Sequence, residues 1–542
     1  MKTSDVKYGD KSGGIEDSGD AAELRGAIPP SESDEALAKI QAEQEPAEEA
    51  FLPRVLKRFG PWKRWVWYWQ TRQHERVESD FWRDRDPKEN ARGCLPDEEG
   101  VQVPAIWVAE LYTPSTVGRL LKGIHDLGWE YGRVGHDSLT KWMNDVREGR
   151  QAGWTSLGLI SPPDAAHLMS ERTAPLPSGV KAALPILVSL TPSLTAFVIA
   201  FLFDDTAATS LETPLRAEFK TSIRRDPLFR PWHVARYVLM DRMARLGHSI
   251  YSPDLLRREA VKSHLQKLEN DCVNWVRDHL PGAFTLQPGS RVPTAALLVT
   301  ERVRPLSEEA SKIRAFDGLA INRDYDAWES DEWPQAGLVL PRGWDDEGNR
   351  LVFTCRRHDA FPDSPSYHDP ASNWTIAQRA DDLIRGLLSR WALTCLLDSY
   401  HETMSVLRDR TAHDGRYRPV RDLKELRSLA RTTLYDIGVC AQEIVEFAES
   451  DFSYRYDVLE MSYVRKVRGE KSDLLNDLIS SQKMRARQVQ REAALLQSTL
   501  STSSDLSQTI SNIRIQRLVV LLTFVSIGVA LWAAFLTFKT VT

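Results

Sequence analysis

The most regular arrangement of oxygen-bearing side chains in this sequence lies towards its C-terminus. Steps of three or four residues, with one step of seven between Gln516 and Thr523, connect Asp505, Thr509, Asn512, Gln516, Thr523, Ser526, Ala530, Ala533 and Thr537. Such steps place side chains on one face of an α-helix. Oxygen atoms at these intervals would face a hydrated path if several copies of the helix surrounded an axis. One interpretation is therefore a pore-lining face.

The same line of residues also fits a contact between helices. Small side chains let two helices approach closely in lipid, and hydroxyl groups within a span require a partner or water. In this interpretation the small residues form the contact, and the polar residues before the apolar run face the cytosol. The sequence leaves both interpretations open, so the nine residues are predicted as pore-lining or helix-contact positions.

Two other groups contain side chains of the types that bind metals. The first consists of His358, Asp359, Asp363, His368 and Asp369. The second is acidic and consists of Asp324, Asp326, Glu329, Asp331, Glu332, Asp345, Asp346 and Glu347. Hard cations prefer carboxylate oxygens, but the spacing of these acids does not match an EF-hand loop. Both groups are interpreted as solvated loops. A divalent cation is the one cofactor considered, with its ligands unassigned.

Motifs of catalysis are missing from the sequence. There is no phosphate-binding Gly-x-x-x-x-Gly-Lys-Ser/Thr, no Gly-x-Gly-x-x-Gly after a strand and no Gly-x-Ser-x-Gly. His401-Glu402 lacks the second histidine of a zinc-protease helix. Five scattered cysteines include no closely spaced pair, which is typical of reduced, structural thiols. We therefore expect a protein that is not an enzyme.

Length and charge indicate how the chain is divided. With 542 residues, it exceeds what one hydrophobic core usually serves. Residues 1–50 contain 13 Asp and Glu against 5 Lys and Arg, a formal charge of −8, and few large apolar residues. Such a segment is predicted to be a disordered acidic tail. The remainder is nearly neutral, which argues against a nucleic-acid partner.

Residues 51–370 are predicted to form a mixed α/β head. Its first part, 51–72, is basic and rich in Trp, and we interpret it as packed on the head rather than lying on a membrane surface. Predicted strands are Ala105–Tyr112, Trp154–Ile160, Ala295–Val303 and Val352–Cys355. Predicted helices are Pro114–Leu127, Ser138–Glu148, Pro231–Gly247 and Pro253–Leu280. Residues 321–350 are predicted to be polar turns.

The uncharged run Ile186–Phe203 has two interpretations. Its length is marginal for a second membrane span. Pro192 lies near its middle, where it would remove a hydrogen-bond donor from a helix and would fit a turn. We therefore predict a buried β-hairpin.

Residues 371–517 are predicted to form a stalk of long helices. The helical patterns cover Ile376–Thr411, Leu423–Val467 and Glu470–Phe538, the last about 100 Å long at 1.5 Å per residue. Residues 518–538 carry no charge and are predicted to be a transmembrane helix. Without an apolar leader at Met1 and with four residues after the span, we expect a single-pass protein of the cell membrane with its N-terminal bulk in the cytoplasm.

The C-terminal third resembles the CorA-type divalent-cation transporters. The likeness rests on Ser511-Asn512-Ile513-Arg514-Ile515-Gln516-Arg517, followed by the apolar Leu518-Val519-Val520-Leu521-Leu522-Thr523, and it covers roughly 373–538. Where that family has Gly-Met-Asn and a second span, this sequence has Leu536-Thr537-Phe538-Lys539 and stops at Thr542. The resemblance implies an α/β head, long helices, a stalk that continues into a span, and assembly of several copies.

The expected protein is thus α+β, with a mixed α/β cytosolic head, a helical stalk or coiled coil and a single C-terminal transmembrane helix. Its partners are membrane lipid and further copies of itself. The leading function is a CorA-like, membrane-anchored oligomer that conducts or senses cations. The alternative is a non-transporting, tail-anchored scaffold or stress effector whose head binds a cytosolic protein.

Overall fold

The computed structural model describes residues 80–130, 138–165, 172–225, 248–287, 289–319, 321, 327–330, 333, 336–341, 349–360, 369–413, 420–455, 458–464 and 473–541. The acidic tail 1–50, the basic aromatic segment 51–72 and the predicted helix Pro231–Gly247 lie outside these residues. The chain divides into two units, Met1–Phe81 with Ile223–Ser249 and Trp82–Ser222 with Ile250–Thr542. Except for β7 and β8, the elements below belong to the second unit.

The strands are β1 (Val101–Tyr112), β2 (Gly153–Ser156), β3 (Ile160–Ser161), β4 (Arg172–Thr173), β5 (Val180–Ser189), β6 (Thr195–Phe203), β7 (Ser222–Arg225), β8 (His248–Tyr251), β9 (Thr294–Thr300), β10 (Ala327–Ser330), β11 (Gly337–Val339), β12 (Arg350–Arg356) and β13 (Met461–Tyr463). The helices are α1 (Asp86–Gly93), α2 (Val117–Asp126), α3 (Leu139–Arg147), α4 (Asp205–Thr209), α5 (Glu212–Arg216), α6 (Pro253–His279), α7 (Asn373–His413), α8 (Val420–Glu449), α9 (Asp451–Arg455) and α10 (Leu474–Val541). The protein is therefore a mixed α/β protein.

One large sheet organises the second unit. Its strand order is β13-β10-β11-β12-β9-β1-β6-β5-β3-β4, with β2 also paired to β5. Neighbours are antiparallel except for the pairs β9–β12 and β3–β4, which are parallel. Strands β7 and β8 form a separate two-stranded sheet. The central strands β1, β6 and β9 are apolar and buried along almost their whole length, which is expected for strands covered on both faces.

Helices cover the two faces of the central strands. Ile106 and Trp107 are consecutive, so their side chains point to opposite faces. Trp107 Nε1 donates a hydrogen bond to Asp381 of α7 at 2.8 Å. Phe201 lies opposite Ile106 in the register, and its ring centroid is 5.6 Å from that of Trp275 in α6. The sheet is thus the middle of three layers, between α6 and the first half of α7.

The buried hairpin predicted over Ile186–Phe203 is confirmed, and the membrane alternative for this run is wrong. Strands β5 and β6 pair along their length from Ala182 opposite Leu202 to Ser189 opposite Thr195. Pro192 lies in the tight turn between the two strands, where its missing N–H removes no ladder hydrogen bond. The residues are apolar because they lie at the centre of the sheet.

Two stretches differ from the prediction. The polar segment 321–350 contains the short strands β10 and β11. The helix predicted over Leu423–Val467 ends at Glu449, where the N–H of Ser450 bonds to the carbonyl of Phe447 in a tighter turn. After the short helix α9, the chain enters strand β13, which pairs with β10 at the sheet edge. Short apolar runs have similar patterns in helices and strands, so the sequence did not separate them.

Candidate functional site

The first part of α10 packs against α7 and α8 through one face. After Leu474 at its start, its buried side chains follow steps of three and four residues, and they are Leu475, Leu478, Gln482, Ala486, Val489 and Ala493. This spacing forms a narrow stripe along a helix and is typical of close helix packing. About five turns of α10 are therefore packed against the helices that cover the sheet, so the predicted separate stalk over residues 371–517 is not confirmed. This stripe is named the buried seam.

A glutamine interrupts the apolar character of the buried seam. Gln482 is fully buried, and its Nε2 donates to the Arg390 carbonyl at 2.6 Å and to Thr394 Oγ1 at 2.9 Å. Its Oε1 accepts from the hydroxyl of Tyr454 at 2.9 Å. A single polar residue at a packed position fixes the register of helices, since any shift would leave buried groups unpaired. The role of Gln482 could not be predicted from the sequence, because its partners lie on α7 and α9, far away along the chain.

Polar contacts between α8 and α10 show in which direction the two helices run relative to each other. Glu449 of α8 contacts Lys483 at 3.0 Å and Arg487 at 2.9 Å, and Gln490 donates to Gln442 at 2.6 Å. As the numbering on α10 rises, the numbering on α8 falls, so these two helices are antiparallel. The hydrogen bond from Lys483, its charge and the nearby Arg487 lower the pKa of Glu449. These ion pairs are exposed to solvent, so they contribute mainly to the relative orientation of α8 and α10.

Helix α8 also holds the loops at one end of the sheet. Asp436 accepts hydrogen bonds from Thr113 Oγ1 at 2.9 Å and from the Ser115 N–H at 3.2 Å, just after β1. Glu443, seven residues on, accepts from the N–H and the hydroxyl of Ser193 at 2.9 and 2.7 Å, in the β5–β6 turn. These two carboxylates attach the long helices to the sheet, and their partners could not be found from sequence spacing.

The apolar C-terminal part of α10 is exposed in the single chain. The stretch Ile515–Ala533 has a mean hydropathy of 1.9, and none of it is buried. Nineteen residues of helix at 1.5 Å each extend about 28 Å, close to the ~30 Å of a bilayer core. Among the described residues it is the one helix long and apolar enough to cross a membrane. It overlaps the predicted span 518–538 and begins three residues earlier.

The nine predicted site residues all lie on α10. At 3.6 residues per turn, their backbone positions fall within an arc of roughly 120°, so they share one face. Gln516, Thr523, Ser526, Ala530 and Ala533 are exposed in the single chain. Asp505, Thr509, Asn512 and Thr537 are placed here by the backbone of the helix alone. The prediction that these residues line a pore or a helix contact stays a prediction.

The hydroxyl of Thr523 has a partner within its own helix. Thr523 Oγ1 donates to the carbonyl of Val519 at 2.8 Å. A threonine in an apolar environment commonly satisfies its donor in this way, four residues back. This residue therefore needs neither water nor a neighbouring helix to satisfy its donor, while its oxygen still has lone pairs to accept from a partner.

The two metal-ligand candidates are only partly covered by the structure. Within the described residues, no three His, Cys, Asp or Glu side chains come together as a metal site. Asp359 accepts two hydrogen bonds from Arg356, each 2.7 Å long, and Glu329 faces Arg304 at 3.4 Å. Asp363 and His368, and the acids at 324, 326, 331, 332 and 345–347, lie outside those residues.

Comparison of the chain with models of protein families, with curated proteins and with solved structures gives no match.

Proposed function

We propose that this protein is a membrane-anchored homo-oligomer of CorA-like architecture, in which the α/β head and α10 together conduct or sense cations. The head lies in the cytoplasm, and the apolar end of α10 crosses the cell membrane once. The protein is not an enzyme in this proposal. Three arrangements support it, namely the covered sheet, the antiparallel long helices and the helix that runs on into an apolar end.

The observation that carries the proposal is the continuity of α10. One helix of 68 residues includes both the buried seam and the exposed apolar stretch. An apolar helix surface of this size in water is strongly unfavourable, at about 25 cal/mol per Å². A bilayer removes this cost along the whole circumference of the helix, whereas a protein partner would cover one side.

Membrane insertion is tested by carbonate extraction of cell membranes. We expect the full chain to stay in the pellet and a chain without residues 515–542 to be soluble. Ser526→Arg places a charge near the centre of the span and should release part of the protein, while Ser498→Arg, in the exposed part of α10 before the span, should not. Extraction of the full chain into the soluble fraction would contradict the anchor. Protease added to sealed cells should leave the head intact, and its digestion there would contradict the orientation.

Cation transport is tested separately in liposomes containing the purified protein. If the face with Thr523 and Ser526 lines a path, Thr523→Leu and Ser526→Leu should lower divalent-cation flux at least several-fold. Phe524→Leu, on another face of the same helix, is the matched control and should leave the flux unchanged. Equal flux in all three variants, or cross-linking that yields only monomers, would count against the conduit.

The second candidate is a non-transporting, tail-anchored scaffold or stress effector with a head that binds a cytosolic protein. The hydrogen bond from Thr523 to Val519 favours it, because the hydroxyl donor is then satisfied without a hydrated path. Oligomers that incorporate into liposomes without measurable cation flux would select this candidate. Flux that depends on Thr523 and Ser526 would select the first.

A further inference from the structure

Three side-chain contacts show that α7 and α10 run in the same direction. The paired residues are Thr394 with Gln482 at 2.9 Å, Asp398 with Arg485, and His401 with Glu492 at 3.4 Å. The numbers on the two helices rise together, and each residue of α7 lies beside the residue 87 to 91 positions later on α10. At this offset, the last residue of α7, His413, lies at the level of α10 residues 500–504.

Helix α8 runs in the opposite direction and begins closer to the apolar stretch of α10. The contacts between the two helices are Glu449 with Lys483, Glu449 with Arg487, and Gln442 with Gln490. In each contact the two residue numbers add up to between 932 and 936. For the first residue of α8, Val420, the same relation gives α10 residues 512–516. Since the apolar stretch begins at Ile515, α8 begins at the level where α10 becomes apolar.

The loops at the end of the sheet lie well away from this level. They are bound by Asp436 and Glu443 of α8, which follow Val420 by 16 and 23 residues. At 1.5 Å per residue, these separations correspond to about 24 and 35 Å of helix. The first turns of α8 therefore extend past these loops towards the apolar stretch of α10.

The sequence around this level is basic. The end of α7, the start of α8 and the segment that joins them comprise residues 408–427, and α10 contributes residues 505–517. Together they contain nine Lys and Arg against five Asp and Glu, so their formal charge is 9 − 5 = +4. This count includes the joining residues 414–419, which lie outside the described residues. The helix backbones alone place Arg421 and Lys424 at the level of α10 residues 508–515.

A basic surface at this level suits anionic lipid. The cytoplasmic leaflet of a cell membrane is negatively charged and attracts Lys and Arg that lie within about one Debye length of it, ~10 Å. We propose that the start of α8 lies on the membrane surface and binds the headgroups of anionic phospholipids. This inference rests on the proposed insertion of α10, and it gives the head a second contact with the bilayer besides the span.

The test uses the full chain with Cys94→Ser, reconstituted in vesicles and labelled with a bimane fluorophore at Val420→Cys or at Glu446→Cys. The quencher is a nitroxide on the lipid headgroup. Position 446 follows position 420 by 26 residues of α8, about 39 Å. We expect quenching at 420 and little at 446. Adding phosphatidylserine to phosphatidylcholine vesicles should increase the quenching at 420, and high salt should remove this increase.

Two double variants test the role of charge. Arg421→Gln/Lys424→Gln should reduce the increase caused by phosphatidylserine by roughly half, because the formal charge falls from +4 to +2. Arg487→Gln/Arg491→Gln is the matched control, because these exposed positions of α10 lie 24 to 28 residues before Ile515, about 36 to 42 Å. It should leave the increase unchanged. If urea unfolding shows that the first variant folds poorly, the salt dependence of the unchanged protein decides.

Other results would overturn the proposal. Equal quenching at positions 420 and 446, in protein that resists carbonate extraction, would refute the placement of α8 and leave the anchor intact. Extraction of the protein by carbonate would refute the anchor itself, and this inference with it. Quenching at 420 that is the same with and without phosphatidylserine would refute the binding of anionic headgroups. A phosphatidylserine effect that appears only after deletion of residues 1–50 would assign the surface to the acidic tail.

Discussion

Replacing Asp381 should change how the stability of the head depends on pH. The Asp381 side chain lies between α7 and the sheet and is 7% exposed. Its Oδ1 accepts a hydrogen bond from Trp107 Nε1 at 2.8 Å, and Arg385 is 3.8 Å from Oδ2. Burial raises the pKa of this carboxyl from 3.8 to about 6, and the hydrogen bond from Trp107 and the charge of Arg385 only partly oppose the effect.

The direction in which stability changes with pH follows from the raised pKa of Asp381. In the unfolded chain the carboxyl titrates near 3.8, so between about pH 4 and pH 6 the folded protein holds a proton that the unfolded chain has lost. The contribution of Asp381 to stability is full below pH 4 and is lost as the pH rises through 6. The difference between 3.8 and about 6, at about 1.4 kcal/mol per pKa unit, corresponds to about 3 kcal/mol.

Asparagine at this position keeps an oxygen for Trp107 and cannot ionise. Asp381→Asn should therefore be within about 1 kcal/mol of the unchanged protein near pH 4.5 and more stable at pH 8 by about 3 kcal/mol, a difference that already includes the attraction of Arg385. The assay is urea unfolding of the full chain in detergent at both pH values, followed by tryptophan fluorescence. The difference between the two proteins cancels the titration of all other groups.

Asp409→Asn is the matched control, because Asp409 lies further along the same helix α7 and its side chain is 67% exposed. It should retain the pH dependence of the unchanged protein. If Asp381→Asn also retains that dependence, or is less stable at pH 8, the carboxyl is ionised at little cost in the folded protein. The reasoning from burial would then be refuted.

Three further predictions concern buried groups. Gln482→Leu should lower the free energy of unfolding by about 1–3 kcal/mol, because the three groups that bind Gln482 lose their partner. Gln488→Leu, at an exposed position of the same helix, should change it little. Urea unfolding measures both variants. Gly282→Ala places a methyl group 2.5 Å from the Cγ of the fully buried Glu110 and should cost about 1–3 kcal/mol in the same assay, so unchanged stability would contradict this close approach. Iodoacetamide should label Cys94 first in the native protein, because the other four thiols are buried and burial raises their pKa. Mass spectrometry of early time points measures the order of labelling, and earlier labelling of another cysteine would contradict the prediction.

Local patterns in the sequence were enough for most elements of the fold. Strand β1 and helices α2, α3 and α6 lie where apolar periodicity and turn residues placed them, with ends shifted by a few residues. Ser138 shows why, because its hydroxyl accepts from the Thr140 N–H and begins α3 where serine is a favoured cap. The long α10 was predicted because a helical pattern without Gly or Pro continues into the apolar run.

Features that depend on distant partners were not predictable. Glu99 lies before β1, and its buried carboxylate accepts hydrogen bonds from three consecutive N–H groups, at 2.8 Å from Glu301, 3.2 Å from Arg302 and 2.7 Å from Val303. Nothing in the residues around Glu99 indicates that a turn some 200 positions later will lie beside it. The parallel pairing of β9 with β12 likewise brings together two strands that are far apart in the chain.

A buried ion pair shows the limit most clearly. Glu269 lies on α6 and Arg350 begins β12, and their side chains meet at 2.9 Å and are largely buried. Each charge is ordinary in its own segment, where the usual interpretation is a solvated face, and the pair exists only in the folded protein.

The register of α10 limits how the head can move relative to the apolar end of this helix. Sliding α10 by one turn, 5.4 Å, would separate Gln482 from Tyr454, Thr394 and the Arg390 carbonyl, each hydrogen bond contributing about 1 kcal/mol net and more when a buried group is left unpaired. It would also move the carboxylate of Glu449 away from Lys483. Since α10 has no break between the buried seam and Ile515, rotation of the apolar end must be transmitted to the head. In a membrane-anchored oligomer, the head and the span should therefore tilt or rotate together rather than slide, and a signal received by the head would reach the bilayer as a movement of the whole helix.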